Sequence, residues 1–196
     1  MARDCFLVTG GGLATEIKSG LFNWIPELDG IGRSEGDDII LLIARDVKTI
    51  KEMGWSKAVR STKISPYYVG EHQGRHRFIY EGNRPRNLDI IPYPAWDLLE
   101  RDPYGHNLLE DYIKVPVWGV AANNSSAAPF EMKRSLTTVS SRGCPYSCAF
   151  CYRGAQGEKN YGMRSLEHIA EQVLGYVKKY NLDFIGFPDD NFAVSK

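Results

Sequence analysis

Ser140-Ser141-Arg142-Gly143-Cys144-Pro145-Tyr146-Ser147-Cys148-Ala149-Phe150-Cys151 carries three of the chain's four cysteines in a C-x3-C-x2-C spacing. Four cysteines in 196 residues do not gather this way through composition alone. Thiolates so close on one loop can all turn towards a single soft metal centre, and iron–sulfur clusters are held by such thiolates. Three ligands leave one coordination position open to a substrate or cofactor, the feature that separates catalytic metal sites from closed structural ones. A disulfide framework fits poorly. The fourth thiol, Cys5, lies far upstream in the apolar run Cys5-Phe6-Leu7-Val8, where it reads as a small buried hydrophobe. A structural zinc site would need a fourth ligand, and the nearest histidine, His168, falls on the following helix. Haem attachment requires a histidine directly after a C-x-x-C pair, and Tyr152 occupies that place.

Either side of this loop the pattern is strand, loop, helix, strand. Residues 135–140, Ser-Leu-Thr-Thr-Val-Ser, are β-rich and lead into the cysteines. Ser165 is a good N-cap for a helix with apolar positions at Leu166, Ile169, Ala170, Val173, Leu174 and Val177. Asp183-Phe184-Ile185-Gly186-Phe187 then reads as a strand, which completes one βαβ unit. That strand ends in Phe187-Pro188-Asp189-Asp190-Asn191-Phe192. An acidic end at the carboxyl mouth of a parallel sheet faces the ligand crevice and suits an ammonium partner.

The N-terminal half shows the same alternation. Residues 5–9 read as a strand, Gly10-Gly11-Gly12 as a turn and residues 13–18 as a helix. A second strand is expected at 28–32. The segment Arg33-Ser34-Glu35-Gly36 follows, and then a helix from Asp37 to about Met53 whose stripe is Ile39, Ile40, Ile43, Val47 and Ile50, with Gly54 as its stop. Tyr67-Tyr68-Val69 and Arg77-Phe78-Ile79-Tyr80 flank the turn-rich 70–74 and predict a hairpin. Residues 83–134, broken by six prolines, read as an extended linker. The fold class expected is therefore α/β with a parallel sheet. Its expected boundaries separate residues 1–60, a hairpin and Pro-rich linker over 61–134, and the βαβ unit within 135–196.

Composition narrows the function classes. Lys plus Arg and Asp plus Glu both number 24, so no excess of positive charge marks a polyanion-binding face, and nucleic acid is not the expected partner. The longest apolar run, Ile39-Ile40-Leu41-Leu42-Ile43, is far too short to span a bilayer. The N-terminus lacks the pattern of a signal peptide, which points to the reducing cytoplasm.

Residues 140–151 resemble the cluster loop of radical S-adenosylmethionine (SAM) enzymes, in which CxxxCxΦC follows the first barrel strand and Φ is aromatic; Phe150 fills that position. The resemblance implies that Cys144, Cys148 and Cys151 hold a 4Fe-4S cluster. SAM would chelate the open iron through its amino and carboxylate groups and be cleaved reductively to methionine and a 5′-deoxyadenosyl radical. It places Phe150 and Tyr152 near the adenosyl group. It likens Asp189, Asp190 and Asn191 to the second-strand motif that binds the SAM amino group, here acidic instead of glycine-rich.

The series of strand, Gly10-Gly11-Gly12, helix, Gly32-Arg33-Ser34-Glu35, linker and cysteine loop further resembles the cobalamin-binding subgroup. There Gly10, Gly11, Gly12 and Glu35 would contact cobalamin, and Ser34 stands where a glycine is usual. The stretch 88–98, Leu-Asp-Ile-Ile-Pro-Tyr-Pro-Ala-Trp-Asp-Leu, is also similar to the one preceding the barrel in many members. The resemblance implies cobalamin-dependent methyl transfer to carbon or a related radical reaction on a small-molecule or peptide substrate, fed by an electron donor such as flavodoxin or ferredoxin. The resemblance makes residues 1–60 the C-terminal part of a Rossmann-like cobalamin-binding domain and residues 135–196 the first β-α-β of a truncated radical SAM partial TIM barrel, so the chain reads as an interior fragment of such an enzyme, inactive in isolation. None of His72, His76, His106 and His168 lies in a cobalamin lower-ligand motif. Two alternatives stay open: a radical SAM enzyme without cobalamin, resembling the methylthiotransferases, and a zinc-binding interaction module.

Overall fold

In the computed structural model, which describes residues 5–114, 132–151, 161–192 and 194, the chain divides into two units, residues 1–84 and 85–196. The first is built on a four-stranded sheet. Strands β1 (Val8–Thr9), β2 (Gly30–Arg33) and β4 (Arg75–Glu81) run parallel, and β3 (Tyr68–His72) lies antiparallel on the edge, in the order β1-β2-β4-β3. The fold is thus α/β with a mostly parallel sheet, as the alternating strand and helix signals predict.

Helices cover both faces of this sheet, because alternate residues of β4 point opposite ways. Ile79 joins Ile31 beneath α1 (Gly12–Ile17) and α2 (Leu21–Trp24), where Ala14, Leu21, Phe22 and Leu28 are buried. Phe78 and Tyr80 face the other way, against Ile39, Leu42, Ile43 and Ile50 of α3 (Ile39–Met53) and Trp55 of the short α4 (Trp55–Ala58).

The buried stripe of α3 departs from the apolar reading. Ile40 is exposed, while Asp46 and Thr49 are buried. Asp46 can sit there because its carboxylate accepts from Ser65 N at 2.9 Å, Ser65 Oγ at 2.6 Å and Tyr80 Oη at 3.0 Å. A buried carboxylate with that many donors is a specific anchor instead of a defect. Beside it, burial and the Asp46 carboxylate push the Tyr80 hydroxyl far above the usual phenol range. Cys5 is exposed, contrary to the buried role expected of it; β1 begins only at Val8, so Cys5 lies outside the sheet.

The hairpin turn is tighter than the sequence suggests. Residues 71–72 still pair with 75–76, so the turn is Gln73-Gly74 alone, both at positive φ (53° and 71°). That geometry matches the twist of two-residue hairpins. Gly70, at φ 118°, sits where the β3 register shifts. The hairpin also belongs to the first sheet through β4, so it is not part of a linker.

The second unit packs around α6 (Leu166–Tyr180). Strands β5 (Ser135–Thr137) and β8 (Phe184–Gly186) pair in parallel across it, which is the expected βαβ unit. A short antiparallel pair, β6 (Ser141–Arg142) with β7 (Gly162–Met163), lies between them in the chain. The core holds Leu109 and Ile113 of α5 (Leu108–Lys114), Leu136, Tyr176, Tyr180 and Leu182, with Tyr93, Trp96 and Leu99 packed against it. Residues 88–114 are therefore core-forming, not an extended linker. The prolines limit them to two 3-10 turns, Leu88–Ile90 and Trp96–Leu99, and one short helix.

The face of α6 also differs from the apolar reading. Leu166, Leu174 and Val177 are exposed, and Gln172, Tyr176 and Tyr180 are buried, spaced four apart. Thr138 Oγ1 donates to Gln172 Oε1 at 2.8 Å, Gln172 Nε2 to Tyr176 Oη at 3.2 Å, and Tyr176 Oη to Pro94 O at 3.0 Å. This chain of bonds satisfies the polar atoms that the buried face carries. Ser165 caps the helix as predicted, accepting from His168 N at 3.2 Å. At its far end Asn181 adopts φ 51°. Arg134 donates there to Tyr180 O and Asn181 O while forking onto Glu110 at 2.6 and 2.8 Å. The Arg134 guanidinium, with Lys114 behind it, brings the Glu110 carboxyl down to about 2.

Candidate functional site

The carboxyl edge of the β5–β8 pair assembles the residues singled out from the sequence. Strand β5 runs towards the cysteine loop, and β8 runs in the same direction into Asp189, Asp190 and Asn191. Parallel pairing makes both strands empty onto the same edge, where ligands of α/β sheets bind. Thr138 N, donating to Gly186 O at 3.0 Å, continues the ladder one step past β5.

Asp189 ties the two exits together. Its Oδ1 accepts from Ser140 N at 3.0 Å, and its Oδ2 accepts from Ser141 Oγ at 2.9 Å and from Ser140 Oγ. Both carboxylate oxygens are thus spent on the residues that lead into the cysteine loop. Asn191 donates from Nδ2 to Cys144 Sγ at 3.6 Å. Asp190 is the exposed carboxylate of the three. The three residues of this segment thus differ in what they meet. Ser140 and Ser141 join the site through Asp189, and the signal for them in the sequence is a pair of hydroxyls just ahead of Arg142-Gly143-Cys144.

Of the loop thiols, Cys144 and Cys151 are half-buried and Cys148 is exposed, and all are free. Cys151 N donates to Cys148 O at 3.0 Å, which closes a tight turn between the last two cysteines. Among the described residues no three His, Cys, Asp or Glu side chains converge as a preformed metal site. The chemistry of the donor set nevertheless suits a soft metal centre: three free thiols on one short loop, anchored at its entry by Asp189. Phe150 is almost wholly exposed, at 94%. Tyr152 lies outside the described residues.

Behind the loop, β7 leads into Arg164, whose N donates to Ser140 O at 2.9 Å. The Arg164 side chain is buried, lies over the Tyr93 ring and sits 2.9 Å from His168 Nδ1. Burial, and secondarily Arg142, lower its affinity for a proton. His168 is engaged with Arg164 and, at 3.5 Å, with Asp89. It is a packing residue of α6, engaged by these partners.

The first unit carries its own carboxyl edge, where β1, β2 and β4 end. Gly10, Gly11 and Gly12 are exposed there, and Gly11 has φ 87°. That angle strains any side chain and explains a glycine at this turn. Ser34, at φ 63°, takes up the backbone conformation a glycine would favour. Its N donates to Thr15 Oγ1 at 3.1 Å, and Thr15 Oγ1 donates to Gly11 O at 3.0 Å, so the two loops brace each other.

Glu35 is committed to the scaffold. Arg84 donates from Nε to Glu35 Oε1 at 2.6 Å, with both side chains largely buried, and the Glu35 carbonyl lies where a Cβ on Gly82 would be. His72 and His76 lie at the opposite end of β4 from this edge. His76 stacks on Trp55 and bonds Tyr68 Oη at 2.9 Å.

No family model matches the chain, and no solved structure matches it. A protein of Pyrococcus horikoshii named as an uncharacterized methyltransferase, PH0819, is 29% identical over 198 residues, which is 99% of this chain and 35% of that protein. The cytidylyl-2-hydroxyethylphosphonate methyltransferase of Streptomyces wedmorensis is 26% identical over 107 residues, 54% of this chain and 17% of that protein. The chain thus spans well under half the length of either relative.

Proposed function

We propose that this chain is the cofactor-binding portion of a radical SAM methyltransferase, with Cys144, Cys148 and Cys151 as ligands of a 4Fe-4S cluster. The observation that carries this reading is the C-x3-C-x2-C loop at the carboxyl edge of a parallel βαβ unit, tied to the next strand's exit by Asp189. Methyl transfer enters from the two relatives, each named a methyltransferase. When bound, the cluster supplies the electron that cleaves SAM reductively.

The chain's own residues do the positioning. Asp189 and the two serines fix where the loop leaves the sheet, and the turn between Cys148 and Cys151 sets the spacing of two ligands. The acidic segment Asp189, Asp190 and Asn191 suits the SAM ammonium, with Asp190 its exposed carboxylate. Phe150 offers an exposed ring to the adenosyl group.

In the same reading the N-terminal unit holds cobalamin against the bare backbone of Gly10, Gly11 and Gly12, where no side chain stands between ligand and main chain. Glu35 contributes by shaping this edge with Arg84 and not by direct contact. The substrate is a small molecule or peptide, and the electron donor a flavodoxin or ferredoxin.

The test is anaerobic reconstitution with iron and sulfide, followed by electron paramagnetic resonance of the reduced protein with and without SAM. A 4Fe-4S signal that SAM perturbs, and that Cys148→Ala abolishes, is the expected outcome. Stoichiometric zinc with no sulfide would overturn the reading and make the loop a structural knuckle.

A further inference from the structure

We infer that Asn191 tunes the electron affinity of the cysteine site by donating its side-chain N–H to Cys144 Sγ; the inference rests on the iron–sulfur reading of the loop. The amide nitrogen lies 3.6 Å from the sulfur, and a thiolate is a far better acceptor than a thiol. Asn191 is half-buried, and its position follows from its neighbours. Two residues earlier Asp189 is bonded to Ser140 and Ser141, and Ser141 Oγ also lies 3.5 Å from Asn191 O. The segment 189–191 is therefore held against the entry to the cysteine loop, and the amide is delivered to the first of the three thiols by main-chain geometry.

A hydrogen bond to a ligating sulfur withdraws electron density and favours the more negative, reduced form of a cluster. Asn191 is on this account a positioning residue acting through Cys144, and it makes one thiol of the three electronically distinct. Aspartate, its near-isostere, would place an unprotonated oxygen against the same sulfur and reverse the effect.

Two measurements on the full chain separate the parts of this inference. In the metal-free protein, iodoacetamide labelling of each cysteine is followed by mass spectrometry. Asn191→Leu, which removes the amide partner of the Cys144 sulfur, should change the labelling rate of Cys144 about threefold and leave that of Cys148 unchanged. In the anaerobically reconstituted protein, a redox titration followed by electron paramagnetic resonance should show the ratio of reduced to oxidised cluster falling about tenfold at a fixed potential in Asn191→Leu. For one electron that is a midpoint more negative by about 59 mV. Asn191→Asp should shift it further the same way, and Asn191→Gln, which keeps the donor, should restore part of the difference.

Equal labelling rates in wild type and Asn191→Leu would overturn the hydrogen bond. An altered rate with an unchanged midpoint would overturn the tuning role, as would equal loss of iron in the Leu and Gln variants. A labelling rate that differs between wild type and Asn191→Leu, with no cluster assembled in the wild type, would leave the hydrogen bond standing and sink the iron–sulfur reading instead.

Discussion

The two carboxyl edges of this molecule are built on opposite plans. In the N-terminal unit the edge is an outgrowth of the scaffold. Glu35 is paired with Arg84, Gly82 gives way to the Glu35 carbonyl, and Ser34 is braced by Thr15. What it presents is backbone, at Gly10 to Gly12. In the C-terminal unit the edge is a loop of three free thiols on a two-stranded parallel pair, anchored at its entry by one carboxylate. A site that works through backbone shape can be completed by folding alone. A site that works through soft ligands needs those ligands accessible, so its final geometry waits for what they bind.

The contrast makes opposite demands on mutants. The largest effect is expected from Asp189→Ala, which frees the Ser140 and Ser141 donors and unties the loop from β8. Iron bound after reconstitution should fall several-fold, while the urea midpoint of the chain moves little. A variant that loads iron like the wild type would show that the loop organises itself without the anchor.

In the first unit the order reverses. Asp46→Ala strands Tyr80 Oη and the donors of Ser65 in the core and should cost about 3 kcal/mol in urea unfolding. Iron loading per folded chain should be unchanged. Gly82→Ala drives a Cβ into the Glu35 carbonyl, and should cost about 2 kcal/mol by the same measurement. If the Gly82→Ala chain proved as stable as the wild type, this edge would be softer than its packing implies.

The smallest expected effect is a pH dependence. Folding lowers the Glu110 carboxyl from 4.5 to about 2, so the unfolded chain takes up that proton first. The stabilisation is whole above about pH 5 and is lost as the pH falls towards 2. Between pH 6 and pH 3, Glu110→Gln should therefore lose less stability than the wild type, read by urea unfolding at each pH. The difference should be modest, because the pair with Arg134 is partly exposed to solvent.

Much of this architecture is legible in the sequence for a local reason. The Gly54 stop, the Ser165 cap and the run of 183–187 each express a preference of a few neighbouring residues. Periodicity is less informative about which face is buried. Ile40 and Leu174 are apolar and exposed, whereas Asp46 and Gln172 are polar and buried, because bonds from distant residues satisfy them. The segment 88–114 reads as a linker since its prolines forbid long elements. Leu109 and Ile113 are in the core all the same, recruited by α6 from far along the chain.

By itself the sequence determined the thiol spacing, the βαβ order around it and the acidic segment at the end of β8, since these are properties of chain order and side-chain chemistry. Only the tertiary structure decided how Asp189, Asp190 and Asn191 divide their roles. They are adjacent in sequence and alike in polarity, yet Asp189 meets Ser140 and Ser141, Asn191 meets Cys144, each nearly 50 residues away along the chain, and Asp190 is exposed.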